Sequence, residues 1–228
     1  MPKAYYKHML EIACFNLESC IIAQANGADR IEFCASYKSG GITPSYEDIL
    51  KARKLLHIPL HVIIRPRGGN FVYTTEELNQ MKSDILFCKE NKIDGIVFGI
   101  LNSENHIDVA TCKEFLTIAG EMSTTFHRAI DACIDIKKSI NELINLGFAN
   151  LLTSGGFANA ETGVQQIKAL QKDFGETISI IPGGGIRSNN INYIKNETDC
   201  YVFHSAAILH SSNLIDPQEI TLLKKSIC

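Results

Sequence analysis

No Cys-x-x-Cys pair occurs anywhere in the 228 residues, although the chain carries eight cysteines. This excludes the usual zinc-ribbon and thioredoxin signatures. Cys14, Cys20, Cys34, Cys88, Cys112, Cys133, Cys200 and Cys228 are scattered along a chain that is 45% hydrophobic. A secreted disulfide framework staples short chains that lack such a core. Met1 to Met9 hold no apolar stretch of the signal-peptide kind. No apolar run approaches the length of a membrane span. The expectation is a cytoplasmic protein with free thiols and no membrane partner. A basic excess is also missing: 22 Lys+Arg stand against 25 Asp+Glu, a net charge of −3. Nucleic-acid binders need positive charge to displace counterions, so none is expected here. Blocks of like charge, the mark of solvated tails, do not occur.

What is present is a regular alternation. Short apolar runs fall at Leu10–Phe15, Arg30–Ala35, Leu60–Arg65, Gly95–Ile100, Thr124–Ala129, Asn150–Ser154, Ile178–Pro182 and Cys200–His204. Between them lie stretches with helical spacing, such as Leu78, Met81, Ile85 and Cys88, or Ile136, Ile140, Leu143 and Ile144. Thr74 to Glu77 and Ser45 to Asp48 resemble capping boxes, while Gly27 and Gly147 follow helical segments. Eight strand–helix units in one chain predict a single-domain TIM (β/α)8 barrel, with its core over about 10–207 and a C-terminal tail over 208–228. An open doubly wound sheet would usually carry GxGxxG after its first strand, and here Asn16-Leu17-Glu18-Ser19 follows instead.

Barrel strands alternate inward and outward residues, and the outward ones should be apolar. On that rule Glu11, Glu32, Cys34, His61, Arg65, His127 and His204 point inward, with Arg67, Arg128 and Asp131 at the rim. Barrel interiors are normally filled by branched apolar residues. Convergence of this many ionisable groups marks a candidate site. Glu32 and His127 are acid/base candidates and Arg65 an anion clamp, with Arg67 beside it. The plainer alternative is that Glu11 and Glu32 only neutralise Arg65 and the histidines. Glycine marks a second feature: Ser154-Gly155-Gly156 follows strand six and Gly183-Gly184-Gly185 follows strand seven. Such segments let backbone N–H groups approach an anion, or simply form tight turns. Cys14 and Cys34 end neighbouring strands, so both sulfurs could reach one soft metal ion; ordinary buried cysteine is the alternative. Lysine is absent from every predicted strand, which disfavours Schiff-base chemistry. Strand one lacks HxH, which disfavours amidohydrolase-type metal chemistry. Proton transfer on a small anionic metabolite, phosphorylated or not, stays open.

Several segments carry a family resemblance. They are Leu10-Glu11-Ile12-Ala13-Cys14, Gly27 to Cys34, Gly40 to Ser45, Ile64-Arg65-Pro66-Arg67-Gly68-Gly69, Phe126-His127-Arg128-Ala129, Leu152 to Gly156 and Pro182 to Ile186. Together they span Leu10 to Ala206, and the chain resembles the CutC family, named for copper homeostasis. The resemblance implies a TIM barrel, a cytosolic location, homo-oligomers and Cu(I) binding, with Cys14 and Cys34 at the cysteines proposed for copper. One departure concerns strand eight, where the family's His-x-Ser-Ala-Arg reads Phe203-His204-Ser205-Ala206-Ala207. The arginine is missing, which weakens an anion pocket at that strand.

Overall fold

A computed structural model describes residues 8–209 and 214–228. Eight parallel strands run in the order β7-β6-β5-β4-β3-β2-β1-β8. They are β1 Met9–Cys14, β2 Arg30–Phe33, β3 Leu60–Ile63, β4 Gly95–Phe98, β5 Ser123–Phe126, β6 Asn150–Thr153, β7 Ser179–Pro182 and β8 Val202–Ser205. β7 and β8 pack side by side at the seam. The helices are α1 Leu17–Ala25, α2 Tyr46–Leu55, α3 Thr75–Glu90, α4 Val109–Ala119, α5 Ile136–Leu146, α6 Val164–Phe174, α7 Ile191–Thr198 and α8 Pro217–Ile227. Each expected strand is present, and the alternation gives the predicted barrel.

The local signals act as their chemistry dictates. Thr74 forms a reciprocal capping box with Glu77 at the start of α3. Ser45 Oγ accepts from the Asp48 N–H at the start of α2. Gly147 ends α5 in the left-handed region, at φ 92°. The C-terminal stretch expected as a tail instead contains α8. Its Ile220, Leu223 and Ile227, spaced for one helical face, are buried.

Two apolar layers result. Outward-facing Leu10, Ile12, Ile31, Phe33, Val62 and Phe126 meet the helices in one continuous core. Inside the cylinder, Met9, Leu152, Ile181 and Val202 form a small plug. The polar site sits above this plug, at the C-terminal ends of the strands where barrel chemistry is built.

Gly95 at the start of β4 and Gly99 just past its end add no inward bulk on either side of inward-facing Val97, and the reason is steric. A Cβ on Gly95 would lie 2.5 Å from His61 Nε2, and one on Gly99 would lie 2.6 Å from the His127 ring. Neither glycine has a left-handed backbone, so the requirement is space alone. Gly95→Ala and Gly99→Ala should each cost about 1–3 kcal/mol by crowding, seen in thermal melts as a drop of roughly 2–4 °C per kcal/mol. Adding His61→Ala to Gly95→Ala should recover part of that loss. A Gly95→Ala protein that melts like the wild type would refute the crowding argument.

Candidate functional site

The register places charges side by side. Glu11 on β1 lies directly opposite Arg30 on β2 and His204 on β8. Its carboxylate accepts from Arg30 Nε at 2.5 Å and meets His204 Nδ1 at 2.7 Å. Glu11 is only 1% exposed. Burial opposes its ionisation, but Arg30 and His204 outweigh burial and hold the carboxyl well below the usual carboxylate range. His204 Nε2 reaches Glu32 Oε2 at 3.5 Å, so one imidazole spans two carboxyl groups. Burial alone would lower the His204 pKa, yet Glu32 and Glu11 together raise it above the ordinary imidazole value. Glu32 behaves differently. Burial is the larger influence, and Glu11 adds to it against the pull of His204, so its carboxyl is pushed up to about 7.

Glu32 lines a cavity of about 290 Å³ at the barrel mouth. Cys34, Arg65 and His127 share its lining on the β2, β3 and β5 side. Arg128, Gly184, Gly185 and Arg187 line it on the far side. His127 Nδ1 accepts from the Ala129 N–H at 3.2 Å, which leaves the ring proton on Nε2. That Nε2 is buried without a partner. Burial and the neighbouring Arg65 push the ring down to about 3, so it is a neutral donor at physiological pH. Phe71 tilts against it, with ring centroids 4.8 Å apart.

Several expected site residues have other occupations. Arg65 lies in the cavity wall, but its Nη1 donates to the carbonyls of Ser39, Gly40 and Gly41 and its Nη2 to that of Gly69. It therefore ties two loops together and brings charge more than free donors. Arg67 is outside the cavity, paired with Glu77 at 2.6 Å and folded over Tyr73. His61 lies below the mouth beside Gly95, and burial, then Arg30, lower its pKa to about 4. Asp131 accepts from the N–H groups of Ser154 and Gly156 and from Thr153 Oγ1. Gly155 N–H donates to Thr153 Oγ1, and Gly183 N–H to the Thr153 carbonyl. The glycines after β6 thus cradle an internal carboxylate, with Arg128 Nε on Asp131 at 2.9 Å, and offer no anion site.

Of the two expected metal thiols, Cys34 lines the cavity and Cys14 does not. Strand alternation turns Cys34 inward with Glu32, and it lines the cavity. Cys14 has the parity of Leu10 and Ile12, so it faces outward into the core that also holds Cys20. Burial pushes both thiols well above their usual range, and neighbouring Cys20 for Cys14 and Glu32 for Cys34 push further. Among the described residues, no three His, Cys, Asp or Glu side chains are arranged to hold a metal ion. Thiolates bind Cu(I), and this arrangement resists forming them.

Two site residues escaped the sequence reading. Arg30 has the inward parity of Glu32, which was the available signal. Arg187 follows directly on the Gly183-Gly184-Gly185-Ile186 run.

Comparison with known proteins gives one family. The CutC family model matches residues 8–209. A CutC family protein of Bacteroides thetaiotaomicron is 43% identical over 202 residues, covering 88% of this chain and 81% of that one. A relative from Chromobacterium violaceum is 39% identical over 199 residues, covering 87% and 81%. A crystal structure of a CutC protein of Streptococcus agalactiae, provisionally assigned to copper homeostasis, superposes with a TM-score of 0.84. It is 37% identical and covers 87% of this chain and 98% of that one. Phosphoribosyl anthranilate isomerase of Thermotoga maritima, 16% identical with a TM-score of 0.64 over 96% of this chain and 98% of that one, shares the barrel alone.

Glu11→Gln should cost about 3–5 kcal/mol, because it leaves Arg30 as a buried charge without its partner; urea unfolding at neutral pH measures this. The Glu11 carboxyl is depressed from 4.5, so its contribution is present above that pH and is lost as the pH falls below it. Glu32 has the opposite sign. Its folded value of about 7 lies above 4.5, so the wild type should lose stability relative to Glu32→Gln as pH rises between the two. Unfolding of both proteins at the two ends of that window tests the sign.

Proposed function

The chain belongs to the CutC family, and from that premise and the cavity's geometry we propose that it is an enzyme moving a proton on a small anionic metabolite. One observation carries this reading: a cavity-facing carboxyl, Glu32, is joined through the His204 imidazole to a second buried carboxyl, Glu11. A general base works best when it titrates near the operating pH, and Glu32 does so at about 7. Ionised Glu32 would take a proton from a carbon or hydroxyl of the bound molecule. His204 and Glu11 hold the charge balance behind it. Neutral His127, with its proton on Nε2, and the Arg65 guanidinium suit an oxygen that gains negative charge in that step. The volume of about 290 Å³ suits a small metabolite.

Cu(I) held between Cys14 and Cys34, the role that the family's name suggests, finds less support. Cys34 lines the cavity, Cys14 has outward strand parity, and the surroundings of both favour the protonated thiols. The free cysteines, seven of them buried, suit a reducing compartment, and a cytoplasmic location is part of this reading.

Thermal-shift screening with small carboxylates and sugar phosphates should find stabilising ligands at millimolar concentration. NMR of a hit in deuterated solvent should then show exchange of one carbon-bound or ligand-specific proton. Its rate should climb as pH rises through about 7, because only the carboxylate form accepts a proton. Glu32→Gln should slow exchange by about 10²–10⁴-fold while ligand stabilisation persists. Exchange that ignores Glu32→Gln sinks the proposal. Cu(I) titration should give the same stoichiometry for wild type, Cys14→Ser and Cys34→Ser; a loss in both variants would restore the copper reading.

A further inference from the structure

The charges around the mouth do not balance. Arg30 has Glu11 and Arg128 has Asp131. Arg65, which is 6% exposed, meets carbonyl oxygens, the Phe71 ring and the neutral Tyr73 phenol, and no carboxylate among the described residues. Arg187 donates to the carbonyls of Ile186 and Ile208 and to Ser205 Oγ. Neither has a carboxylate partner among the described residues, and residues 1–7 and 210–213 contain no Asp or Glu. Carbonyl dipoles orient a guanidinium but leave its full charge; for buried Arg65 that charge is costly until a counterion arrives, while half-buried Arg187 presents its charge at the cavity edge.

The two uncompensated arginines are also far apart in the topology. Arg65 follows β3, whereas Arg187 follows β7 and bonds to β8. In an eight-stranded cylinder ordered this way, β3 and β7 stand on opposite walls. Beside Arg187, the Gly184 and Gly185 N–H groups donate to no acceptor among the described residues. Both residues have left-handed backbones, φ 92° and 74°, and a Cβ on Gly184 would lie 3.0 Å from Arg128 Nη1. Glycine here brings backbone N–H groups, Arg128 and Arg187 around one corner. Glu32 and His127 line the cavity between these corners.

We infer that the ligand is a small diacid, with one anionic group at the Gly184–Arg187 corner and the other against Arg65 and His127. This rests on the reading of the mouth as a binding site for an anionic metabolite and names its chemical class. The corner at Gly184 suits a carboxylate or a phosphate equally, since both accept several N–H donors.

Calorimetry with matched probes tests the inference: succinate against butyrate, and phosphoglycolate against glycolate. The diacid of each pair should bind at least about tenfold more tightly than its monoacid. Which pair shows the larger ratio tells carboxylate from phosphate at the glycine corner. Arg187→Gln should remove about tenfold of the diacid affinity and leave the monoacid within about twofold. Arg187→Lys, which keeps the charge, should retain most of the diacid affinity; if it falls as far as Arg187→Gln, Arg187 acts as scaffold and the inference fails. Equal affinity for diacids and monoacids overturns it, as does no binding at about 10 mM of any probe. Proton exchange on a monoacid alone would overturn the diacid class and leave proton transfer standing.

Discussion

A carboxylate buried inside the cylinder, that of Glu11, sets the terms for the rest of the site. Left alone it would protonate or unfold the mouth, because burial strongly disfavours its charge. The strand register prevents this by placing Arg30 and His204 on the two adjacent strands at the same height. The His204 pKa is thereby raised, and its other nitrogen is within reach of Glu32. The second carboxyl then sits beside a filled network, with burial and a fixed negative neighbour both opposing its ionisation. Two glutamates on neighbouring strands acquire opposite protonation behaviour from their place in the row, a division of labour that acid/base sites use.

Arginine does two jobs at this mouth, and the partner distinguishes them. Arg67 and Arg128 are paired with carboxylates, Glu77 and Asp131, and stabilise loop ends. Arg65 and Arg187 rest on carbonyl oxygens, which hold the side chain in place without cancelling its charge. The same contrast separates the two glycine clusters. The N–H groups after β6 already surround Asp131, while those of Gly184 and Gly185 meet no acceptor among the described residues. Residue type alone does not separate a structural cation from a binding one; the contacts do.

The barrel was legible in the sequence because strand and helix periods differ and each helix carries its own start and stop chemistry. The inward positions of Glu11, Glu32, Cys34, His127 and His204 followed from alternation within single strands. What alternation could not supply was height along the barrel and the partners across it. His61 shares the inward parity but lies below the cavity, and Arg67 lies past the strand, where parity no longer applies. Cys14 shows where the rule outweighs proximity: it ends a strand next to that of Cys34, but its parity with Leu10 and Ile12 is outward. Arg30 was available by the same rule, and its omission hid the counterion of Glu11. Helix α8 was legible too, in the spacing of Ile220, Leu223 and Ile227, but it follows the last strand and was read as a tail.

Gly95 opens β4 and Gly99 follows its last residue, and each leaves a hollow that an imidazole from a neighbouring strand fills, His61 from β3 and His127 from the end of β5. The lumen is therefore lopsided, with ring nitrogens packed against bare backbone on one flank. An enlarged residue 99 would displace His127 from the cavity wall before it touched a ligand. The orientation of that histidine is thus guarded by a neighbour with no reactive group of its own.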